Sequence, residues 1–141
     1  MASPFQKFNC FVEDLAEGIH DLDTHSLKIA LTNSAPSASN TVLANITEIS
    51  GGTGYTAGGA ACALSSSSQS SGTYKLVLSS PATWTASGAG MGPLRYAVLY
   101  NDTATGDPLI GYWDYGSSPT LASGETFTVT LDGTNGVLQI A

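Results

Sequence analysis

The sequence predicts a mainly-β domain of the β-sandwich or jelly-roll type, with one α-helix near its N-terminus. Seven or eight short runs rich in β-forming residues lie at the intervals typical of sandwich strands. Segments dense in glycine, serine, asparagine and proline separate these runs, and such segments favour tight turns. Only one long stretch has the apolar periodicity of a helix.

The length of 141 residues is typical of one domain. No internal repeat or change of composition marks a boundary, so we expect a single domain over residues 1–141. Within it, the helix is predicted at residues 4–20 and the β-sandwich at residues 26–141. A chain of this size buries about two-thirds of its unfolded surface on folding, which requires no disulfide or metal staple.

Charged residues are scarce in this chain. They make up 11% of it, with four basic and eleven acidic side chains and a net charge of -7, where about 25% is ordinary. Nucleic-acid binding depends on clustered Lys and Arg, so we exclude it. A surface of small polar residues suits a protein that packs against others, because buried charges are costly to desolvate. A plain β domain without such a role is the alternative.

No apolar run approaches the roughly 18 residues that cross a bilayer, and the N-terminus lacks the pattern of a secretory signal. We therefore expect no membrane association, and folding in a cytoplasm. In a reducing compartment, Cys10 and Cys62 are expected to be small buried hydrophobic residues, with one disulfide as the alternative. Their positions show no metal-type spacing.

The N-terminal helix is predicted from apolar residues that share one helical face, while acidic residues fall mostly on the other. Pro4 favours its start and Gly18 weakens its far end. Residues 26–32 then alternate in polarity, which predicts a half-buried strand. The apolar helical positions are Phe8, Phe11, Val12, Leu15, Ile19 and Leu22.

Residues 41–49 fit a short helix or a strand, and we favour the helix. Residues 50–59 contain five glycines, but no lysine follows them as in a phosphate-binding loop, so an ordinary loop is predicted. Residues 65–72 are a serine-rich, low-complexity segment, expected to be a mobile hairpin tip or a loop ordered only by a neighbour. They would connect paired strands at residues 60–65 and 73–79.

A central hairpin is the clearest feature of the sequence. Residues 94–100 and 109–115 are rich in β-formers and flank residues 101–108, which are almost all turn-forming. Aromatic side chains bring much buried area, so we expect the core here. The hairpin gathers Tyr96, Tyr100, Tyr112, Trp113 and Tyr115.

Two further strand predictions complete the chain. Residues 82–86 form a short strand around Trp84. Residues 127–131 and 137–140 form a closing hairpin around a permissive turn at residues 132–136.

One group of side chains has the residue types of a metal site: His20, Asp21, Asp23 and His25. Two imidazoles and a carboxylate can bind a transition metal. However, the histidines are five apart and do not share a helical face. A polar helix exit explains them more simply, so no metal site is predicted.

Paired carboxylates for glycoside cleavage could be drawn from Asp102, Asp107, Asp114 and Glu125. Three of the four sit in or beside turn signals, where Asp commonly bonds to the backbone, so the turn role is favoured. Serines are abundant, but no nucleophile elbow is present. We predict no catalytic residue and no cofactor.

The aromatic residues are candidates for contact with a partner. Tyr112 and Trp113 are neighbours on a strand and point to opposite faces, so we expect one of them to face outward. An outward aromatic could bind a sugar or a partner subunit, and the partner is favoured. We also expect contacts from the helix, the glycine loop and the serine loop. The predicted interface residues are Phe8, Phe11, Tyr55, Tyr112, Trp113 and Tyr115.

Several phrases of the sequence resemble a family of small structural proteins of tailed bacteriophages. They include FQKFNCFVEDLAE, LKIALTNSAP, ITEISGGTGYTAGG, SGTYKLVLSSPATWTASG, GPLRYAVLYNDTATGDPLIGYWDYGSS and the ending GETFTVTLDGTNGVLQIA. The resemblance runs across nearly the whole chain but includes no catalytic motif. No functional residue can be carried over from it.

The resemblance implies a capsid decoration, or cement, protein on the outside of the phage head, located in the virion after folding in the host cytoplasm. The expected partner is the major capsid protein. We also expect a homo-oligomer, with a trimer favoured because it suits local threefold positions of a capsid. The alternative is a carbohydrate- or receptor-binding module of a tail fibre or head fibre.

Overall fold

The computed structural model describes residues 4–81 and 83–141. It is mainly β with a single α-helix and several antiparallel sheets, which confirms the predicted fold class. Residues Leu43–Asn45 form a short 3₁₀ helix. The other elements are β1 (Gln6–Lys7), α1 (Asn9–Ala16), β2 (Leu27–Thr32), β3 (Ala60–Cys62), β4 (Leu64–Ser70), β5 (Thr73–Leu78), β6 (Trp84–Thr85), β7 (Tyr96–Asn101), β8 (Leu109–Asp114), β9 (Thr126–Phe127) and β10 (Leu138–Ile140).

The strands form a five-stranded sheet in the order β1-β8-β7-β2-β3, a three-stranded sheet β10-β5-β4 and a two-stranded sheet β6-β9. One face of the five-stranded sheet packs against the two smaller sheets, so that side chains from all three share the main core. In this core lie Ile29 and Leu31 from β2, Leu76 and Leu78 from β5, and Trp84 from β6.

The central hairpin is confirmed. β7 and β8 pair from Tyr96 with Asp114 to Tyr100 with Leu109, with a register shift after Leu99. At the turn, the Asn101 side-chain oxygen accepts hydrogen bonds from the backbone N–H groups of residues 103 and 104. Such bonds are the reason that asparagine favours turns.

The strand predicted at residues 26–32 is present as β2, with the predicted alternation of faces. It is not half-buried, however, because only Lys28 of its six residues is less than fully buried. A second apolar group covers the face of the five-stranded sheet that lies away from the main core. This outer cluster consists of Phe8, Ala30, Ile46, Val98, Tyr100 and Leu109.

The helix is shorter than the prediction of residues 4–20. Before it, Gln6 pairs with Tyr112 as β1 joins the edge of the five-stranded sheet. After it, Gly18 adopts a φ of 78°, a left-handed conformation that ends helices. The apolar periodicity continues through Ile19, but backbone pairing and the glycine determine the ends.

Residues 41–49 are neither a regular helix nor a strand, because the 3₁₀ helix lies between isolated bridges from Val42 to Pro108 and from Glu48 to Thr32. Residues 65–72, predicted as a hairpin tip or a loop ordered only by a neighbour, are mostly strand. Residues 64–70 form β4 on β5, where the Ser67 and Tyr74 hydroxyls lie 2.8 Å apart. A neighbouring strand therefore orders a segment whose composition favours a loop.

The prediction of a closing hairpin is wrong. β9 pairs with β6 and β10 pairs with β5, although Asp132 holds the predicted turn through the backbone N–H groups of residues 134 and 135. The strand predicted at residues 60–65 divides, with β3 on β2 and β4 on β5. Of the strand predicted at residues 82–86, residue 82 lies outside the described residues and Trp84–Thr85 form β6.

Gly59 provides a test of this packing. It has a φ of 77°, and a Cβ there would lie 1.8 Å from the Ile29 carbonyl oxygen. We expect Gly59→Ala to lower the free energy of unfolding by at least about 2 kcal/mol, from backbone strain and overlap with β2. Urea denaturation measures this. The control is Gly133→Ala, where a Cβ meets nothing within 4 Å, and equal losses in the two variants would contradict the packing.

Candidate interaction surface

Three of the six predicted interface residues are enclosed by the chain itself. Phe8, Phe11 and Tyr55 have exposed fractions of 0%, 5% and 2%. Phe8 belongs to the outer cluster, and the other two belong to the main core. Their side chains offer no surface to a partner in this fold, which corrects that part of the prediction. The aromatic residue type suggested an interface anchor, but it does not show whether the side chain faces the interior or the solvent.

The other three aromatics lie at the end of β8. Tyr112 and Trp113 point to opposite faces as predicted, and both are half-buried. The Trp113 ring centroid lies 5.1 Å from that of Phe5. Tyr115 is 59% exposed, and the edge-to-face contact of its ring is with Phe127. Tyr115 is thus the residue of this set with an accessible ring.

An apolar concave surface lies between α1 and β10. This groove has a volume of about 700 Å³ and joins the first and last strands of the described chain. Val12 and Ile140 at its margins are 52% and 44% exposed, although they are large apolar side chains. Its lining includes the polar side chains of Lys7 and Gln139, and the rest is apolar: Phe5, Phe11, Val12, Leu15, Ala16, Leu138, Ile140 and Ala141.

A second hollow, of about 590 Å³, continues from this groove and shares Leu15 and Ile140 with it. Asp21 and Asp23 lie on its wall and are both exposed. The groove is therefore apolar along most of its length and acidic at one end. Sequence reasoning missed it, because residues from opposite ends of the chain form it.

Three of the four side chains weighed above as metal ligands, His20, Asp21 and His25, have structural roles. The Asn101 side-chain nitrogen donates to Nδ1 of His20 at 3.1 Å and to Nδ1 of His25 at 2.8 Å. Asp21 accepts the backbone N–H groups of residues 23 and 24. Among residues 4–81 and 83–141, no group of three or more His, Cys, Asp or Glu side chains is arranged to hold a metal ion.

His20 is the one buried histidine of this group. Nδ1 accepts from Asn101, so the proton of the neutral ring lies on Nε2. Nε2 is buried without a hydrogen-bond partner in the described part of the chain, and the nearest carboxylate, Asp14, is 4.0 Å away. Burial lowers the pKa of His20, with Asp14 acting in the opposite direction and His25 in the same direction.

The candidate glycosidase carboxylates are engaged in the fold. Asp102 pairs with Lys28 at 3.2 Å. Asp114 receives two hydrogen bonds from the Arg95 guanidinium, which lowers its pKa. Glu125 accepts the backbone N–H of residue 122, and Asp107 occupies a turn with a φ of 53°. These contacts give Asp102, Asp114 and Glu125 structural roles, and Asp107 a position in a turn.

The glycine loop is fixed by a carboxylate that sequence reasoning also missed. Glu48 accepts hydrogen bonds from the Tyr55 hydroxyl and from the Gly58 backbone N–H. The Tyr55 hydroxyl in turn accepts the Leu31 backbone N–H at 3.1 Å, and Tyr100 donates to the Gly58 carbonyl at 2.6 Å. The loop amide thus binds the chain's own anion, as expected of an ordinary loop.

Both cysteines are free thiols. Cys62 is buried in β3, and burial raises its pKa to about 12. Cys10 is half-buried in α1, where burial and the nearby Asp14 raise its pKa.

No family model matches this sequence, and no similar curated protein or solved structure was found. Within the described residues, no helix is both long enough and apolar enough to span a bilayer. Functional inference therefore depends on the residues themselves and on the resemblance given above.

Tyr55→Phe tests the loop anchor. The substitution leaves the buried Leu31 N–H without its acceptor and removes a donor from Glu48, so we expect a loss of about 1–3 kcal/mol in the free energy of unfolding. Chemical denaturation measures it. Tyr115→Phe, at an exposed ring, is the matched control and should have almost no effect. An unchanged free energy of unfolding in Tyr55→Phe would show that the anchor contributes little to stability.

His20 predicts a pH dependence. The unfolded chain protonates His20 below its ordinary pKa of 6.5, whereas the folded protein resists protonation until lower pH. The free energy of unfolding should therefore fall as the pH drops below about 6.5, down to the lowered folded-state pKa. Thermal denaturation between pH 7.5 and 5 measures this slope.

His20→Gln is the control for this slope and should flatten it, whatever its effect at neutral pH. Carboxylates with lowered pKa, such as Asp114, have an ordinary pKa of 3.8 and lose their contribution only at lower pH. An unchanged slope in His20→Gln would assign the pH dependence to other groups.

Proposed function

We propose that this protein is a non-enzymatic structural protein of a bacteriophage virion, a capsid decoration protein that binds the assembled major capsid protein. The resemblance of nearly the whole sequence to small phage structural proteins supports this role. Its charge-poor composition, with 11% charged residues, also fits a chain that packs against other proteins.

The observation that carries the proposal is the exposed apolar groove between α1 and β10. Large apolar side chains at the margins of a concave surface are typical of protein-binding sites. Val12 and Ile140 occupy such positions. By contrast, both histidines and the carboxylates of Asp102, Asp114 and Glu125 bond to the fold itself, which favours binding over catalysis.

Binding energy alone supplies the mechanism. A ligand that binds the assembled shell and not its separated subunits stabilises the shell by mass action. A specific interface of this kind buries at least about 1,000 Å². A closed trimer places copies of the binding surface around a local threefold position, so that one decoration oligomer contacts several capsid subunits.

A carbohydrate- or receptor-binding module of a tail or head fibre is the second candidate. The exposed Tyr115 ring favours it, since aromatic faces pack against sugars. Trp113, the other candidate platform, is half-buried beside Phe5. The discriminating measurement is glycan-array binding that disappears in Tyr115→Ala while the variant remains folded.

The decoration role predicts that purified recombinant protein binds phage heads that lack it and raises the temperature at which they release DNA. Mass spectrometry of purified particles should find the chain, and imaging should place it on the head surface. Heads mixed with the unfolded protein are the control. Absence of the chain from the heads, or binding without any stabilisation, contradicts the role.

A further inference from the structure

The groove lies at the side of the fold where the five-stranded and three-stranded sheets are not joined by a short connection between their edge strands. On the opposite side, the chain itself joins the two larger sheets, since β3 ends in the five-stranded sheet and β4 begins two residues later in the three-stranded sheet. On the groove side, β1 ends the five-stranded sheet and β10 ends the three-stranded sheet. Two sheet edges thus border one apolar cleft.

β10 has the features of an edge that accepts a further strand. Its residues pair with β5 on one side, and no strand of the described chain pairs with the other. Proteins protect free edges with short strands, lysine, proline or bulges; β10 is three residues long, and its sequence, Leu-Gln-Ile, has no lysine or proline. The other edge of the same sheet, β4, is rich in serine and carries a register shift near Leu64.

The charges around the groove select the occupant. The second hollow adds the exposed Asp21 and Asp23 to one end of the apolar cleft. A second copy of this chain would bring a net charge of -7. Of its four basic residues, Lys28 and Arg95 are held in ion pairs, Lys75 is half-buried in β5, and Lys7 lies in the lining of this same groove. The complementary occupant therefore comes from another protein.

We propose that the groove binds an extended segment of a partner protein, apolar along most of its length and basic at one end, which adds to β10 as a strand. This mode takes affinity from backbone hydrogen bonds and specificity from side-chain pockets. Apolar side chains of the segment fill the cleft between α1 and β10, and its Lys or Arg lies beside Asp21 and Asp23. The inference rests on the proposed protein-binding role and specifies the chemistry of the partner.

The test uses the full chain and three short capped peptides. The first alternates valine with threonine and ends in two lysines, the second has glutamates in place of the lysines, and the third keeps the lysines but is N-methylated at alternate residues. Titration followed by NMR should show binding of the first peptide, with amide shifts in β10 and α1. The second and third should bind at least about tenfold more weakly, because each lacks one source of affinity.

Ile140→Lys introduces a charge on the β10 edge and should lower the affinity for the first peptide about tenfold. Leu64→Lys is the matched control, since Leu64 is similarly exposed, at 40%, but lies on the opposite edge of the sheet. Asp23→Asn should weaken binding of the first peptide, which ends in lysines, but not binding of the glutamate peptide. Equal effects of Ile140→Lys and Leu64→Lys, no binding of any peptide, or equal binding of all three peptides would overturn the proposal.

Two further outcomes separate this inference from its alternatives. Self-association abolished by Ile140→Lys would make a second copy the occupant and overturn the assignment to another protein. An Ile140→Lys variant that still attaches fully to phage heads would overturn the groove as the contact while leaving the decoration role intact. Peptide binding by a protein that never attaches to heads would support the groove and contradict the decoration role.

Discussion

The fold depends on the burial of its central strands on both faces. β2 and β7 place alternate side chains in the main core and in the outer cluster, and most of their residues are buried. An antiparallel sheet commonly leaves one face to solvent, but here Ala30, Val98 and Tyr100 require a cover. Residues around the 3₁₀ helix supply it through Leu43 and Ile46.

This requirement explains why the glycine loop is so firmly attached. Tyr100 passes through the outer cluster and its hydroxyl bonds the loop at Gly58, while Tyr55 enters the main core and bonds the backbone of β2. Glu48 joins the two contacts. The loop is therefore part of the packing of the central sheet, and Gly59 permits its close approach to β2.

The sequence predicted what local patterns determine. Alternation placed β2, β7 and β8 nearly correctly, because their side-chain faces follow directly from spacing. The turn at Asp132 was also correct, but the partners of β9 and β10 were not. A turn signal specifies local backbone geometry, whereas the pairing of β10 with β5 depends on residues more than sixty positions away. The loop prediction for the serine-rich β4 failed for the same reason.

The functional surface was the least predictable feature. Phe8 and Tyr55 were expected at an interface because of their type, yet both are buried. The groove combines Phe5 and Val12 with Ile140, so no window of sequence contains it. Only the topology, which ends one sheet with the first strand and the next with the last, brings these residues together.

The environment of the two thiols has a practical consequence. Nucleophilic attack by cysteine requires the thiolate, and both side chains have a raised pKa, to about 12 for Cys62. A raised pKa keeps both thiols protonated at neutral pH and so slows their reaction with alkylating reagents. A raised pKa therefore disfavours cross-links between copies through either sulfur.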